Sequence, residues 1–132
     1  MNYQYLFKVT RVIDGDTILG DIYLDGLPND DATSIDCGFN CWATTDGKTI
    51  LKCQRIRLAG LNAPEMGTAE GKISFEWLKT QVQGAVVTLI TIKAKNTSKT
   101  DIYGRYIGFI KLRERDINKE LISLGYAEAR YY

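Results

Sequence analysis

The chain has 132 residues, 45% of them apolar, enough for one domain with a real core but not for two. It contains no histidine, which excludes serine–histidine–acid hydrolysis, phosphohistidine chemistry and any site that needs an imidazole base. The net charge of +1 hides an asymmetry: residues 1–50 carry three Lys/Arg against eight Asp/Glu (−5), residues 51–132 fourteen against eight (+6). That division suits a cation-binding region in the first half and an anion-binding face in the second.

No apolar run approaches the ~20 residues of a membrane span. The N-terminus lacks the basic-then-apolar pattern of a signal peptide, so the expectation is a cytoplasmic monomer with no membrane association. Cys37, Cys41 and Cys53 are an odd set with no paired framework, which points to a reducing compartment. Cys37 and Cys41 have the spacing of half a zinc site, but without histidine the other ligands would be Cys53 and a carboxylate. Reduced cysteines on strands are the simpler reading.

Tyr3, Tyr5, Phe7 and Val9 alternate with mostly polar neighbours and predict a first strand running to Ile13. Asp14-Gly15-Asp16 is a hairpin signature, and a second strand follows from Thr17 with Ile18, Ile22 and Leu24 on one side. Gly20 falls where a barrel strand could bend. Residues 25–48 are rich in Asp, Gly and Asn, too long for a bare loop. They read as an excursion with an extra hairpin whose Phe39 and Trp42 pack back on the body.

A third strand is expected over 49–59. A helix beginning at Thr68 follows, with Ile73, Trp77, Leu78 and Val82 on its inner stripe and Gly84 as its stop. Residues 86–92 are almost continuously apolar and predict a strand buried on both faces. Residues 93–101 hold three lysines and predict an exposed loop, and 105–112 another strand. Asp116 is placed to cap a last helix with Ile117, Leu121 and Leu124 inward and Gly125 as its end. Residues 126–132 form a short tail. Five strands with a helix between the third and fourth and another at the C-terminus predict a mainly β, α+β fold. The expected architecture is one OB-fold Greek-key barrel over residues 1–132, with 25–48 inserted between strands two and three.

The chemistry-bearing stretch is Gln54 through Glu65. Ile56 and Leu58 would face one side of its strand and Arg55 and Arg57 the other, while Pro64 forces Ala63 into an extended conformation. A guanidinium, an amide oxygen and a carboxylate thus follow one another near a strand end. Each residue also has an ordinary role available. Asp16 could bond hairpin amides, Glu65 could stand at a helix N-terminus, and Arg105 could be an exposed strand residue.

Three motifs combine: Asp14-Gly15-Asp16-Thr17 at a strand turn, Arg57 with Asn62-Ala63-Pro64-Glu65, and Thr100-Asp101-Ile102-Tyr103-Gly104-Arg105. Their order and context resemble the staphylococcal nuclease family, whose members are five-stranded OB barrels cleaving DNA and RNA with Ca²⁺. Ile117-Asn118 with Leu121, and Gly125-Tyr126-Ala127, extend the likeness to the end of the chain. The resemblance implies that Asp16, the residue at position 62 and the Ala63 carbonyl hold Ca²⁺ or another divalent ion. It implies Glu65 as the group orienting or deprotonating water, Arg57 and Arg105 as phosphate clamps, and Tyr103 and Tyr131 in the nucleotide pocket. DNA and RNA, preferably single-stranded or unpaired, are the implied partners. The chain departs from the family pattern at Asn62, where the family has Asp, and at Ile102, where it has a basic residue. The family's final tyrosine falls past Tyr132. A second reading keeps the barrel without turnover, as a module binding nucleic acid or a protein.

Overall fold

The computed structural model describes residues 2–92 and 106–130. Its strands are β1 (Asn2–Asp14), β2 (Thr17–Tyr23), β3 (Ser34–Asp36), β4 (Cys41–Thr44), β5 (Thr49–Leu58), β6 (Leu61–Asn62), β7 (Val86–Ile92), β8 (Tyr106–Leu112), β9 (Arg115–Asp116) and β10 (Glu128–Ala129). Helix α1 (Ala69–Val82) lies between β6 and β7, and α2 (Ile117–Ser123) between β9 and β10. Antiparallel pairing runs β5–β2–β1–β7–β8, and a parallel pairing of β5 with β8 closes these five strands into a barrel, as expected of an OB fold. Phe7, Val9, Ile18, Ile22, Ile56, Leu58, Leu89 and Ile110 fill it, the alternate residues of each strand. No helix among the described residues is long and apolar enough to cross a membrane.

Helix α1 starts where the Thr68 side chain accepts from the Gly71 N–H at 3.0 Å, with Glu70 in the first turn complementing the helix dipole. Its buried face is Gly71, Ser74, Leu78 and Val82. The expected stripe is therefore displaced: Ile73 is 54% exposed and Trp77 is only partly covered, 5.6 Å from Tyr126 between ring centroids. The reason is packing distance. Small Gly71 packs on the Pro64–Glu65 backbone and small Ser74 on the Gly15 turn, which turns bulkier Ile73 outward.

Two further expectations are corrected. β7 is buried on one face only, with Val86 exposed: Val87, Leu89 and Thr91 are buried and the residues alternating with them are more open. Leu124 is exposed just past α2, whose inner residues are Ile117, Asn118 and Leu121. Asp116 does cap α2, accepting from Lys119 N–H at 3.1 Å, and Gly125 ends it at φ 78°.

The 25–48 excursion contains the expected hairpin. β3 pairs with β4, and β4 adds to the first residues of β5, so the insertion extends the sheet rather than crossing the barrel. Trp42 lies under the Lys52 ammonium, 4.2 Å from ring centroid to nitrogen. Phe39 does not pack back: it stands fully exposed at the hairpin tip with φ 53°. Cys41 and Cys53 are on strands, Cys37 just beyond one, and all three are free thiols. The expected loop over residues 93–101 lies outside the described residues.

Candidate active site

Two close approaches bring the sequence motifs together at one rim of the barrel. A β-carbon on Gly15 would fall 2.7 Å from the Ala63 side chain and 2.8 Å from that of Ser74, so the Asp14–Asp16 turn can seat against α1 only with glycine there. A β-carbon on Gly71 would fall 1.9 Å from the Glu65 carbonyl oxygen, which is how the Pro64–Glu65 backbone lies on the start of the helix. The hairpin turn and the 62–65 loop therefore meet side by side.

Charge then fixes their relation. Asp16 accepts the Ala63 N–H at 2.9 Å on Oδ2, and the Thr17 hydroxyl lies 3.2 Å from Oδ1. Arg57, near the end of β5 opposite Thr17 and beside Ile107 of β8, pairs with Asp16 Oδ2 at 3.3 Å. Both side chains are largely covered, 12% and 15% exposed, so the pair is screened far less than a surface ion pair. The guanidinium also donates to the Leu58 and Leu61 carbonyls at 3.0 Å each and to Asn62 Oδ1. One cation thus ties the strand end, β6 and the hairpin turn together.

The rim is buckled from behind. β10 pairs with β6, Glu128 opposite Asn62, and Arg130 N–H donates to the Gly60 carbonyl at 2.8 Å. Buried Asn118 accepts from Ile110 N–H at 3.0 Å and donates to the Ala59 carbonyl at 2.9 Å. Sequence reading passed over both devices. A two-residue strand carries no periodicity, and an Asn within a short helix gives no signal of burial.

Of the expected site residues, Asp16, Arg57, Asn62 and Ala63 converge. Glu65 sits on the same loop with its carbonyl accepting from the Thr68 hydroxyl at 2.7 Å, and its side chain is exposed to solvent. Tyr103, Arg105 and Tyr131 lie outside the described residues. The structure adds Asp14, which sequence reading left as a turn residue. Its Oδ1 accepts the Asp16 N–H at 3.0 Å, and its carboxyl is raised to about 6, first by burial and then by the adjacent Asp16.

The residues gathered here carry the oxygen donor types that a hard divalent cation takes. Asp14 and Asp16 supply neighbouring carboxylates, the first raised partly because the second is beside it, and Asn62 supplies an amide oxygen. Arg57 already engages both Asp16 and Asn62, so an ion would share these oxygens with the guanidinium. Among the described residues no three His, Cys, Asp or Glu side chains converge, so neutral oxygens and water would complete the shell. Such a set favours Ca²⁺-like chemistry over zinc.

No curated protein matches the chain. A family model described as Staphylococcal nuclease homologue matches residues 55–132, which include Arg57, Asn62, Ala63, Glu65 and both elements that buckle the rim. Asp14 and Asp16 precede the matched stretch and reach it through the contacts at Gly15 and Ala63. The chain belongs to the staphylococcal nuclease homologue family, a family of nuclease type.

Proposed function

We propose that this protein hydrolyses phosphodiester bonds of DNA and RNA with little sequence preference, dependent on Ca²⁺ or another divalent cation. The observation that carries the reading is the Asp16–Arg57–Asn62 cluster, carboxylate, guanidinium and amide locked together at the barrel rim. Asp16, Asn62 and the Ala63 carbonyl would hold the ion, with Asp14 beside them. When bound, the ion supplies polarisation of a phosphoryl oxygen and a lowered pKa for coordinated water.

The chain's own residues do the rest. Arg57 is held by the Leu58 and Leu61 carbonyls, so it is oriented before substrate arrives and can strengthen its hold as charge builds on the phosphoryl oxygens. Arg105, which lies outside the described residues, is assigned as the second clamp from the family resemblance. Glu65 is exposed on a loop fixed by Thr68 and Gly71, free to orient water and take its proton. Tyr103 and Tyr131 are assigned to the nucleotide. An amide at position 62 in place of a carboxylate removes a unit charge from the ion's surroundings, so Ca²⁺ binds more weakly than it would with Asp there.

The test is hydrolysis of single-stranded DNA with Ca²⁺ titrated from micromolar to tens of millimolar. Metal-dependent cleavage that falls about a hundredfold or more in Glu65→Gln and in Arg105→Ala supports the reading. Cleavage that persists in excess chelator, or survives both substitutions, overturns it. One observation favours a binding module instead: Asn62 Oδ1 accepts from Arg57, so the amide already serves the guanidinium. Tight binding of the same DNA with no product at any metal concentration selects that alternative.

A further inference from the structure

The inserted hairpin and β5 share an outward face, and a bulge decides what it carries. Ile22 of β2 pairs with Leu51 but Gly20 pairs with Gln54, so β5 holds one more residue than its partner at this point. Cys53 takes up that residue at φ 58°. Side chains alternate along a strand, so without the extra residue Lys52 would point away from the side shared by Arg55 and Arg57. With it, Lys52 and Arg55 form one outward row that leads to Arg57, itself largely covered where it is held at the rim. Trp42 joins that row, since it pairs with Ile50 and lies under Lys52. Arg11 of β1 and Arg55 flank Leu19 of β2 on the same rung. Asp21 and Asp36 lie on this face, Asp21 accepting from the Cys53 N–H at 3.3 Å, and Asp16 pairs with Arg57 at its rim end.

At the far end stands Phe39, 102% exposed. The tip that carries it is pinned to β5 by the Lys52 N–H donating to the Asn40 carbonyl at 2.7 Å, and closed by Cys41 N–H to the Gly38 carbonyl at 3.0 Å. A fully exposed aromatic on a fixed tip, a half-covered tryptophan and a row of cations leading to Arg57 combine the two elements of sequence-tolerant single-strand binding, stacking platforms and a charged groove.

We infer that the outer face of β4 and β5, from Trp42 through Lys52 and Arg55 toward Arg57, with Phe39 exposed at the hairpin tip beyond it, is a track for single-stranded nucleic acid, and that the inserted hairpin lengthens it. The inference takes its ligand class from the nuclease reading. Its occupant follows from charge complementarity to a polyanion and from continuity with the candidate active site. Lys52 and Arg55 contact phosphates, while Phe39 and Trp42 stack bases. From Lys52 to Arg57 the row spans roughly 13 Å at the usual strand rise.

The test is fluorescence anisotropy of a labelled 20-nucleotide oligothymidylate in excess chelator, so that binding is read without turnover. For Lys52→Ala/Arg55→Ala, the slope of log affinity against log salt should fall by about 1.4, near 0.7 for each lost phosphate contact to a single strand. For Phe39→Ser/Trp42→Ser, affinity should fall about tenfold with the slope unchanged. Exposed Lys119→Ala, on α2, is the control, and circular dichroism confirms folding of each variant. Wild-type affinity and slope in both double variants overturn the track, as does a wild-type protein that leaves the oligomer unbound but captures an acidic polypeptide. If the variants lose binding as stated while no metal supports cleavage, the track stands and the nuclease reading fails. If cleavage is metal-dependent but the variants bind like wild type, the reverse holds.

Discussion

Strand β5 serves two regions built on opposite principles. Its last residues belong to the rim, where Arg57 is bonded to Asp16, Asn62 and two carbonyls, and where β10 and Asn118 close the space behind. Its first residues carry the inserted hairpin, which joins them through three ladder pairs and the Lys52 contacts to Asn40 and Trp42, and leaves Ile35 and Phe39 in water. At the rim each polar group constrains several backbone segments, so stability and candidate chemistry rest on the same atoms. At the hairpin little is buried, so side chains are free to be chosen for what they touch outside the molecule. The difference separates substitutions that damage fold and site together from those that alter the surface alone.

Arg57→Ala should break the rim most severely. It strands the largely covered Asp16 carboxylate and frees two carbonyls, so urea unfolding should show a loss of about 3 kcal/mol. Cleavage should fall at least a hundredfold. A variant with full stability would detach the rim from the fold. Asn118→Ala comes next, at about 2 kcal/mol, because the Ile110 N–H and the Ala59 carbonyl lose a buried partner. The same unfolding curve measures it, and unchanged stability would remove Asn118 as a strut of the rim.

Asp14→Asn acts in the other direction. The Asp14 carboxyl is raised from 3.8 to about 6, so the folded protein holds that proton more tightly than the unfolded chain. Its stabilising contribution is full below about 3.8 and is lost as pH rises through about 6. At pH 7 the amide should therefore stabilise by roughly 1 kcal/mol, reduced from the full linkage value because the group keeps partial contact with solvent. Thermal melts from pH 4 to 8 should show the gain at neutral pH and its disappearance in acid. A uniform shift across that range would rule out the titration. The smallest effect is expected at the hairpin, where Phe39→Ser should change stability by no more than about 0.5 kcal/mol in the same melts. A larger loss would mean that the tip supports the barrel.

The barrel was legible in the sequence because its strands alternate cleanly and its turns carry Asp-Gly or Gly. The meeting of Asp16 with the 62–65 loop was legible only through motif order, since no local pattern places residues 16 and 63 at 2.9 Å. Long-range pairing of short segments was not legible. β10 is two residues long, and its partner β6 is another two. The inner stripe of α1 misled because periodicity weighs Ile73 above Gly71, whereas close packing selects the smaller residue. Phe39 misled for a related reason: aromatic character alone does not say which side of a hairpin tip is water.

Calorimetric titration of Ca²⁺ into the wild-type protein, Asp16→Asn and Asn62→Asp tests the central claim most directly. The account predicts one site in the wild type, its loss in Asp16→Asn, and binding about tenfold tighter in Asn62→Asp, where a carboxylate replaces the amide. Identical heats from all three proteins, or no binding in any of them, would contradict it.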